Sequence, residues 1–329
     1  MRRFTALLGV PLILIAACAR TDGSDPGGPG GPADQRWAAF QHRADEVADA
    51  WRSAAGRQEW LAGYAPLQDS TVLPGEPGFT SETQQAFLAG WYQLEVQLPT
   101  GAPVEGTVTF PDGSLAVPLI SAADAYAAIR QGDPPQCPAD PPTPGRPGPD
   151  PTATSPDGTV TDGPDDSVTS SELLGCQALT VTEVTLGTVD LLTSRGTAQV
   201  PAWLFEIAEL DTPVARVAVD EVVNIPTPSP DVVQATDLTD FVVAQNLTDV
   251  EGTELGYSLG VGACDRDITP FVQEYADAVV VAGSVVRTGE MCTDQLLFHP
   301  VTVTLDEPVG DRTVLDAVTG QPLQLGAVG

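Results

Sequence analysis

The sequence predicts a mainly β chain with an α-containing N-terminal part, its strands paired antiparallel into disulfide-stapled sandwich or open-barrel domains. Three observations carry that prediction. Apolar residues at helical three- and four-residue spacing are confined to the first 130 or so positions. From Ala178 onward, β-branched runs alternate with Gly-, Pro- and Asp-rich breaks, and no long helical pattern intervenes. Four cysteines remain after Cys18, an even number that suits an oxidising compartment.

At the N-terminus, Arg2 and Arg3 form a short basic region. The apolar run Leu7 to Ala17 is too short to span a bilayer. Ile15-Ala16-Ala17-Cys18 closes it as a lipobox, which resembles the bacterial lipoprotein signal. In that signal the cysteine is diacylated on sulfur and becomes the first residue of the mature chain. Thr5 stands where a twin-arginine signal requires a bulky apolar residue, so general secretion is expected. Two acyl chains, at about 0.8 kcal/mol per buried methylene, suffice for stable anchoring. Residues 1–17 are thus expected to be a signal peptide and 18–35, rich in Gly, Pro and Asp, a flexible tether. The implied address is the extracytoplasmic face of a cell membrane, with Cys18 as the lipidation site.

Composition suits that address. The formal net charge is -31 and every basic residue is Arg. So acidic a chain excludes nucleic acid, whose binding requires cationic side chains to displace counterions. It also disfavours docking on anionic lipid through the protein surface.

Residues 36–226 are read as an α+β domain. Trp37, Phe40, Ala44, Val47 and Trp51 share one helical face, and Gly56 ends that helix. A short helix holds Trp60 and Leu61. A third begins at Ser81, which has capping-box spacing to Gln84, and carries Phe87, Leu88, Trp91 and Tyr92. The period then becomes two. Val96, Leu98, Val104, Val108 and Phe110 read as strands, Pro111-Asp112-Gly113-Ser114 as a hairpin turn, and Leu115 to Ile120 as the returning strand. Ser121 caps a helix bearing Ala125, Tyr126 and Ile129. Residues 138–171 are so rich in Pro, Asp, Gly, Thr and Ser that a disordered insertion is expected. Cys137 and Cys176 bracket it. Leu179 to Val184, Val189-Asp190-Leu191, Val200 to Ile207 and Val214 to Val219 follow as strands, with a turn at Ser194-Arg195-Gly196.

The alternating prolines of Pro226 to Pro230 mark a break, and residues 236–329 read as an all-β domain. Its strands are Phe241 to Val243, Tyr257 to Val261, Phe271 to Tyr275, Val279 to Val286, Val301 to Leu305, and Val314-Leu315. Four cysteines allow three connectivities. The simplest pairs neighbours, Cys137 with Cys176 and Cys264 with Cys292.

The segment Thr193-Ser194-Arg195-Gly196-Thr197-Ala198-Gln199-Val200-Pro201-Ala202-Trp203 resembles one recurring in uncharacterised secreted lipoproteins of Actinobacteria. The tail Glu307-Pro308-Val309-Gly310-Asp311-Arg312 with Asp316-Ala317-Val318-Thr319-Gly320 is similar to theirs. The resemblance implies a lipid site and an envelope address; it implies no activity and no catalytic residue. In those proteins the cysteines matching Cys137 and Cys176 lie closer together, which implies that 138–171 is an insertion.

The sequence offers few groups for catalysis. His42 lies on the first helix and His299 precedes Pro300; neither belongs to a nucleophile motif. Asp265 and Asp267, beside Cys264, are weak candidates for calcium ligation, and otherwise no metal or cofactor is expected. Glu95, Glu105 and Asp112 are the acids a glycoside hydrolase would draw on. Trp37, Trp51, Trp60, Tyr64, Trp91 and Tyr92 offer a stacking surface for wall sugars, but their helical spacing favours core packing. The expected function is non-enzymatic: binding or scaffolding of a cell-wall polysaccharide or envelope protein by a lipid-anchored body. The alternatives are a carboxylate-dependent cell-wall hydrolase and a structural spacer without a ligand.

Overall fold

A computed structural model describes residues 32–101, 103, 105–134, 177–232, 241–287 and 292–326. Cys18, the tether up to residue 31, Val104, Cys137, Cys176 and the 138–171 stretch lie outside the described residues. In chain order the first half comprises α1 (Pro32–Ser53), α2 (Arg57–Ala62), β1 (Thr71–Val72), α3 (Ser81–Leu88), β2 (Tyr92–Leu94), β3 (Gly106–Phe110), β4 (Gly113–Val117), α4 (Ala122–Ile129), β5 (Leu179–Thr193), β6 (Gly196–Ile207) and β7 (Val214–Val217). The second half adds β8 (Phe241–Val242), β9 (Ala244–Glu251), β10 (Glu254–Gly262), β11 (Asp265–Glu274), β12 (Ala278–Arg287), β13 (Leu296–Thr304) and β14 (Thr313–Asp316). The chain is mainly β, with its helices near the N-terminus.

The first seven strands form one sheet centred on β6, which pairs along its whole length with β5 and on its other side with β7 and β3. β5 is one continuous strand across the two predicted there, because Thr185 to Thr188 stay paired to β6. The third helix begins at Ser81 as predicted, but its capping box lies one residue earlier. Thr80, not Ser81, is its N-cap, and the reciprocal bonds run between Thr80 and Thr83. That helix ends at Leu88. Trp91 and Tyr92 lie beyond it, and Tyr92 enters β2, which pairs parallel with β5. Val96 and Leu98 pack on the core from irregular chain, not from a strand. Ser121 caps α4 as expected. Ala122, Ala125 and Ile129 bury that helix against Val108, Val200, Phe205 and their neighbours.

In the second half, the sheet β13-β10-β9 packs face to face on a sheet in which β12 is flanked by β11 on one side and by β14 and β8 on the other. All pairings here are antiparallel except β12 with β14. Leu255, Tyr257, Leu259 and Val261 from β10 meet Val279, Val281 and Val285 from β12 in the sandwich interior. Tyr257 donates its hydroxyl hydrogen toward the carbonyls of Phe271 and Ala282, each 3.2 Å away, so its polar end is satisfied inside that core.

β12 is buried without interruption from Ala278 to Val285 because both of its faces are covered. One face meets the sandwich partner. The other carries Ala278, Val280 and Ala282 and is covered by α1, through Phe40, Ala44, Val47 and Trp51. Polar contacts fix the helix there. The buried Arg43 donates from Nε to the Ala317 carbonyl (2.8 Å) and from Nη2 to the Val318 carbonyl (3.0 Å), while Tyr275 donates to Asp45 (2.6 Å). The first helix thus packs on the last sheet. The tip of the β5–β6 hairpin also reaches that region, since Leu67 N–H donates to the Leu192 carbonyl and Leu325 N–H to the Leu67 carbonyl. Cys264 and Cys292 form a disulfide, with their Cα atoms 5.9 Å apart.

Candidate functional site

Tight turns are placed where strands run out of pairing partners, and here turns from both halves run out at the same place. They enclose a cleft of about 630 Å³. Its wall comprises Arg57 and Leu61 of α2, Pro111 and Asp112 of the β3–β4 turn, and Ser194 to Thr197 of the β5–β6 turn. From the second half come Val250 and Gly252 of the β9–β10 turn, Ala276 and Asp277 between β11 and β12, and Pro308, Gly310 and Asp311 between β13 and β14. Gly196, Gly252 and Gly310 all have φ between 56° and 84°, backbone that favours glycine. A Cβ on Gly196 would stand 3.1 Å from the Gly310 carbonyl oxygen, so the two tips meet nearly backbone to backbone.

Two arginine–aspartate pairs flank the opening. Arg195 donates from Nη2 (2.6 Å) and Nε (3.2 Å) to Asp112 Oδ1, and from Nη1 to the Ala62 carbonyl (3.0 Å). Its guanidinium lies 3.9 Å from the centre of the Phe110 ring, a cation–π contact that helps to fix it. Opposite, Asp277 accepts from Arg52 Nη2 (2.9 Å) and Nε (3.2 Å) and from Arg57 Nη2 (3.0 Å). The Arg52 hydrogen bond holds the Asp277 carboxyl below the usual carboxylate range, against partial burial that raises it. Ser194 is buried and donates its hydroxyl hydrogen to the Trp60 carbonyl (2.7 Å). The wall contains no histidine or cysteine. Asp112 is paired with one arginine and Asp277 with two, so the wall presents fixed charges of either sign together with turn backbone and small apolar side chains.

Of the residues singled out in the sequence, Asp112 alone among the three candidate hydrolase acids lines this cleft, and it is held by Arg195. Glu95 and Glu105 are exposed and outside its wall. His42 is on the solvent side of α1, 3.5 Å from Glu46, and His299 is on β13. Asp265 accepts from the Gly262 N–H (2.7 Å) and lies 3.9 Å from the Arg287 guanidinium; Asp267 has φ 51°. Among the described residues no three acids, histidines or cysteines come together as a metal site. The aromatics are mostly interior. Trp51 and Trp60 are fully buried and meet edge to face at 5.2 Å, Tyr64 and Tyr92 are buried, and Trp37 lies tilted against Phe40 and Phe271.

Sequence reasoning did not find the cleft. The two segments quoted for the lipoprotein resemblance, far apart in the chain, supply adjacent parts of its wall through Ser194–Thr197 and Pro308–Asp311. Asp316 of the tail segment has a different role. It is buried, accepts from Ala244 N–H (2.8 Å) and from the Thr319 N–H and hydroxyl (both 2.7 Å), and so ties β14 to β9. Comparison with protein-family models, curated proteins and solved structures finds no match to the chain.

Proposed function

We propose that this protein is a lipid-anchored binding protein of the cell envelope, held at the extracytoplasmic face through Cys18 and taking its ligand in the turn-lined cleft. The observation that carries the binding reading is the pairing of Asp112 with Arg195 and of Asp277 with Arg52 and Arg57. Both carboxylates are committed to arginines as hydrogen-bond acceptors, and that of Asp277 is held below the usual carboxylate range. They serve recognition, whereas a glycoside hydrolase requires one carboxyl held protonated as a general acid. The lipobox supports the address. A wall polysaccharide fragment or an exposed segment of an envelope protein is the ligand class that fits the address and the mixed charge of the wall.

Thermal shift of the mature protein against peptidoglycan and arabinogalactan fragments tests the binding reading. A ligand at 100 times its Kd stabilises by about 2.7 kcal/mol, and Asp311→Ala should weaken that response. Release of shortened fragments during incubation would instead support the hydrolase. Cys18→Ala tests the address: the body should leave the membrane or persist as an unprocessed precursor. A Cys18→Ala chain that is processed and membrane-bound at the wild-type level would refute the anchor.

A further inference from the structure

The sandwich has two ends. At the end away from the cleft, β13 opens with Leu296, Leu297 and Phe298, which are 55%, 40% and 63% exposed. Val286 at the end of β12 and Trp37 near the start of α1 are also exposed, at 39% and 37%. Leu296 pairs with Gly262 and Phe298 with Gly260, so the neighbouring strand has no side chains to cover them. Among the described residues β13 has no second strand partner. A run of large apolar side chains on an open edge is a feature that soluble proteins usually blunt.

The chain's own N-terminus points to what covers it. α1 runs in the same sense as β11, with Trp37 on Phe271, then Asp45 bonded to Tyr275, then Arg52 bonded to Asp277. Pro32 therefore lies toward the start of β11, which pairs with the end of β12 beside the Cys264–Cys292 disulfide. Only fourteen positions separate Pro32 from Cys18, a span of at most about 50 Å even when fully extended. Charge does not oppose an approach at this end. Arg266 and Arg287 stand against Asp265, Asp267 and Asp294, close to balance although the chain as a whole carries -31.

We propose that Leu296 and Phe298, which share the outward face of β13, enter the interfacial layer of the phospholipid bilayer that holds Cys18, turning the cleft away from the membrane. This rests on the lipid-anchor reading above. Two acyl chains already retain the protein, so the contact sets its orientation, not its attachment.

The test uses the full mature chain, purified with its lipid and reconstituted into phosphatidylcholine vesicles whose acyl chains are brominated. Phe298→Trp should lose emission to bromine beyond the loss in the wild-type chain, as should Leu296→Trp, whereas Asp311→Trp at the cleft end should not. A lipidated chain in which both β13 variants are quenched no more than Asp311→Trp overturns the docking and leaves the anchor intact. Absence of lipid on Cys18, read from the mass of the N-terminal peptide, overturns both. A lipid-free dimer in light scattering that dissociates on Leu296→Asp with Phe298→Asp overturns the proposal in favour of a second copy of the chain.

Discussion

Asp277 accepts from both N-terminal helices at the rim of the cleft, and replacing it by Asn should have a measurable, pH-dependent cost. The carboxylate accepts from two guanidinium groups, Arg52 and Arg57. Hydrogen bonds to charged partners are worth about 1.5–3 kcal/mol each when buried. The Asp277 side chain is 33% exposed, and solvent screening reduces the loss to about 1–2 kcal/mol at neutral pH. Arg52 makes the larger share of the contact but keeps Asp49 as a partner at 2.8 Å, which softens its loss. The sign with pH follows from the direction of the shift. The folded carboxyl lies below its ordinary value, so its contribution is present above the unfolded value of about 3.9 and is lost as pH falls through the folded one. Urea denaturation of wild type and Asp277→Asn at pH 7 and again near pH 2 measures this. The gap in unfolding free energy should be open at pH 7 and nearly closed at the acid end. An equal gap at both, or none at pH 7, would show that the clamp does not contribute as argued.

Other perturbations follow from the same packing. Cys264→Ala with Cys292→Ala opens a loop whose ends are 28 residues apart, and the chain-entropy model gives a loss of about 3–4 kcal/mol; without reductant, the urea midpoint of the double variant should fall below that of wild type. Arg43→Ala leaves the Ala317 and Val318 carbonyls without their buried donor, which should cost about 1–3 kcal/mol for each carbonyl left unsatisfied. An unchanged urea midpoint would mean that the Arg43 hydrogen bonds do not contribute to holding α1. Gly196→Ala places a Cβ 3.1 Å from the Gly310 carbonyl on backbone with φ 84°, so it should destabilise by about 1–2 kcal/mol and reduce whatever ligand response the cleft gives in thermal shift.

Local chemistry made many elements legible. The three- and four-residue spacing from Phe40 to Trp51 defines the buried face of α1, and the unbroken apolar run of β12 signals a strand covered on both sides. What covers that strand is not local information: the partners of Ala278, Val280 and Ala282 lie more than 200 positions earlier. The cap of α3 was misplaced by one residue because Thr80-x-x-Thr83 and Ser81-x-x-Gln84 offer nearly the same chemistry, and the backbone decides between them. The cleft shows the limit most clearly. Pro111-Asp112-Gly113 and Ser194-Arg195-Gly196 are readable as turns, but periodicity within a segment carries no term for which turns converge. The ion pairs Arg195–Asp112 and Arg57–Asp277 join residues 83 and 220 apart. The only sequence-level trace of them is glycine at the tips.

That convergence bears on how ligand binding and stability are linked. Arg57 and Leu61 reach the cleft from α2, and α1 is held on β12 by the same set of contacts that positions Asp277. Ser194, from the other sheet, is bonded to the Trp60 carbonyl between them. Displacing Asp277 would loosen the contact between the first helix and the last sheet. A ligand bridging the Arg195 and Arg57 sides would therefore stabilise the junction of the two halves as well as its own site, because it binds only where the junction is closed. The thermal-shift response and the urea cost of Asp277→Asn thus read one equilibrium: each weakening of the clamp should lower ligand affinity in proportion to the fraction of molecules in which the junction opens.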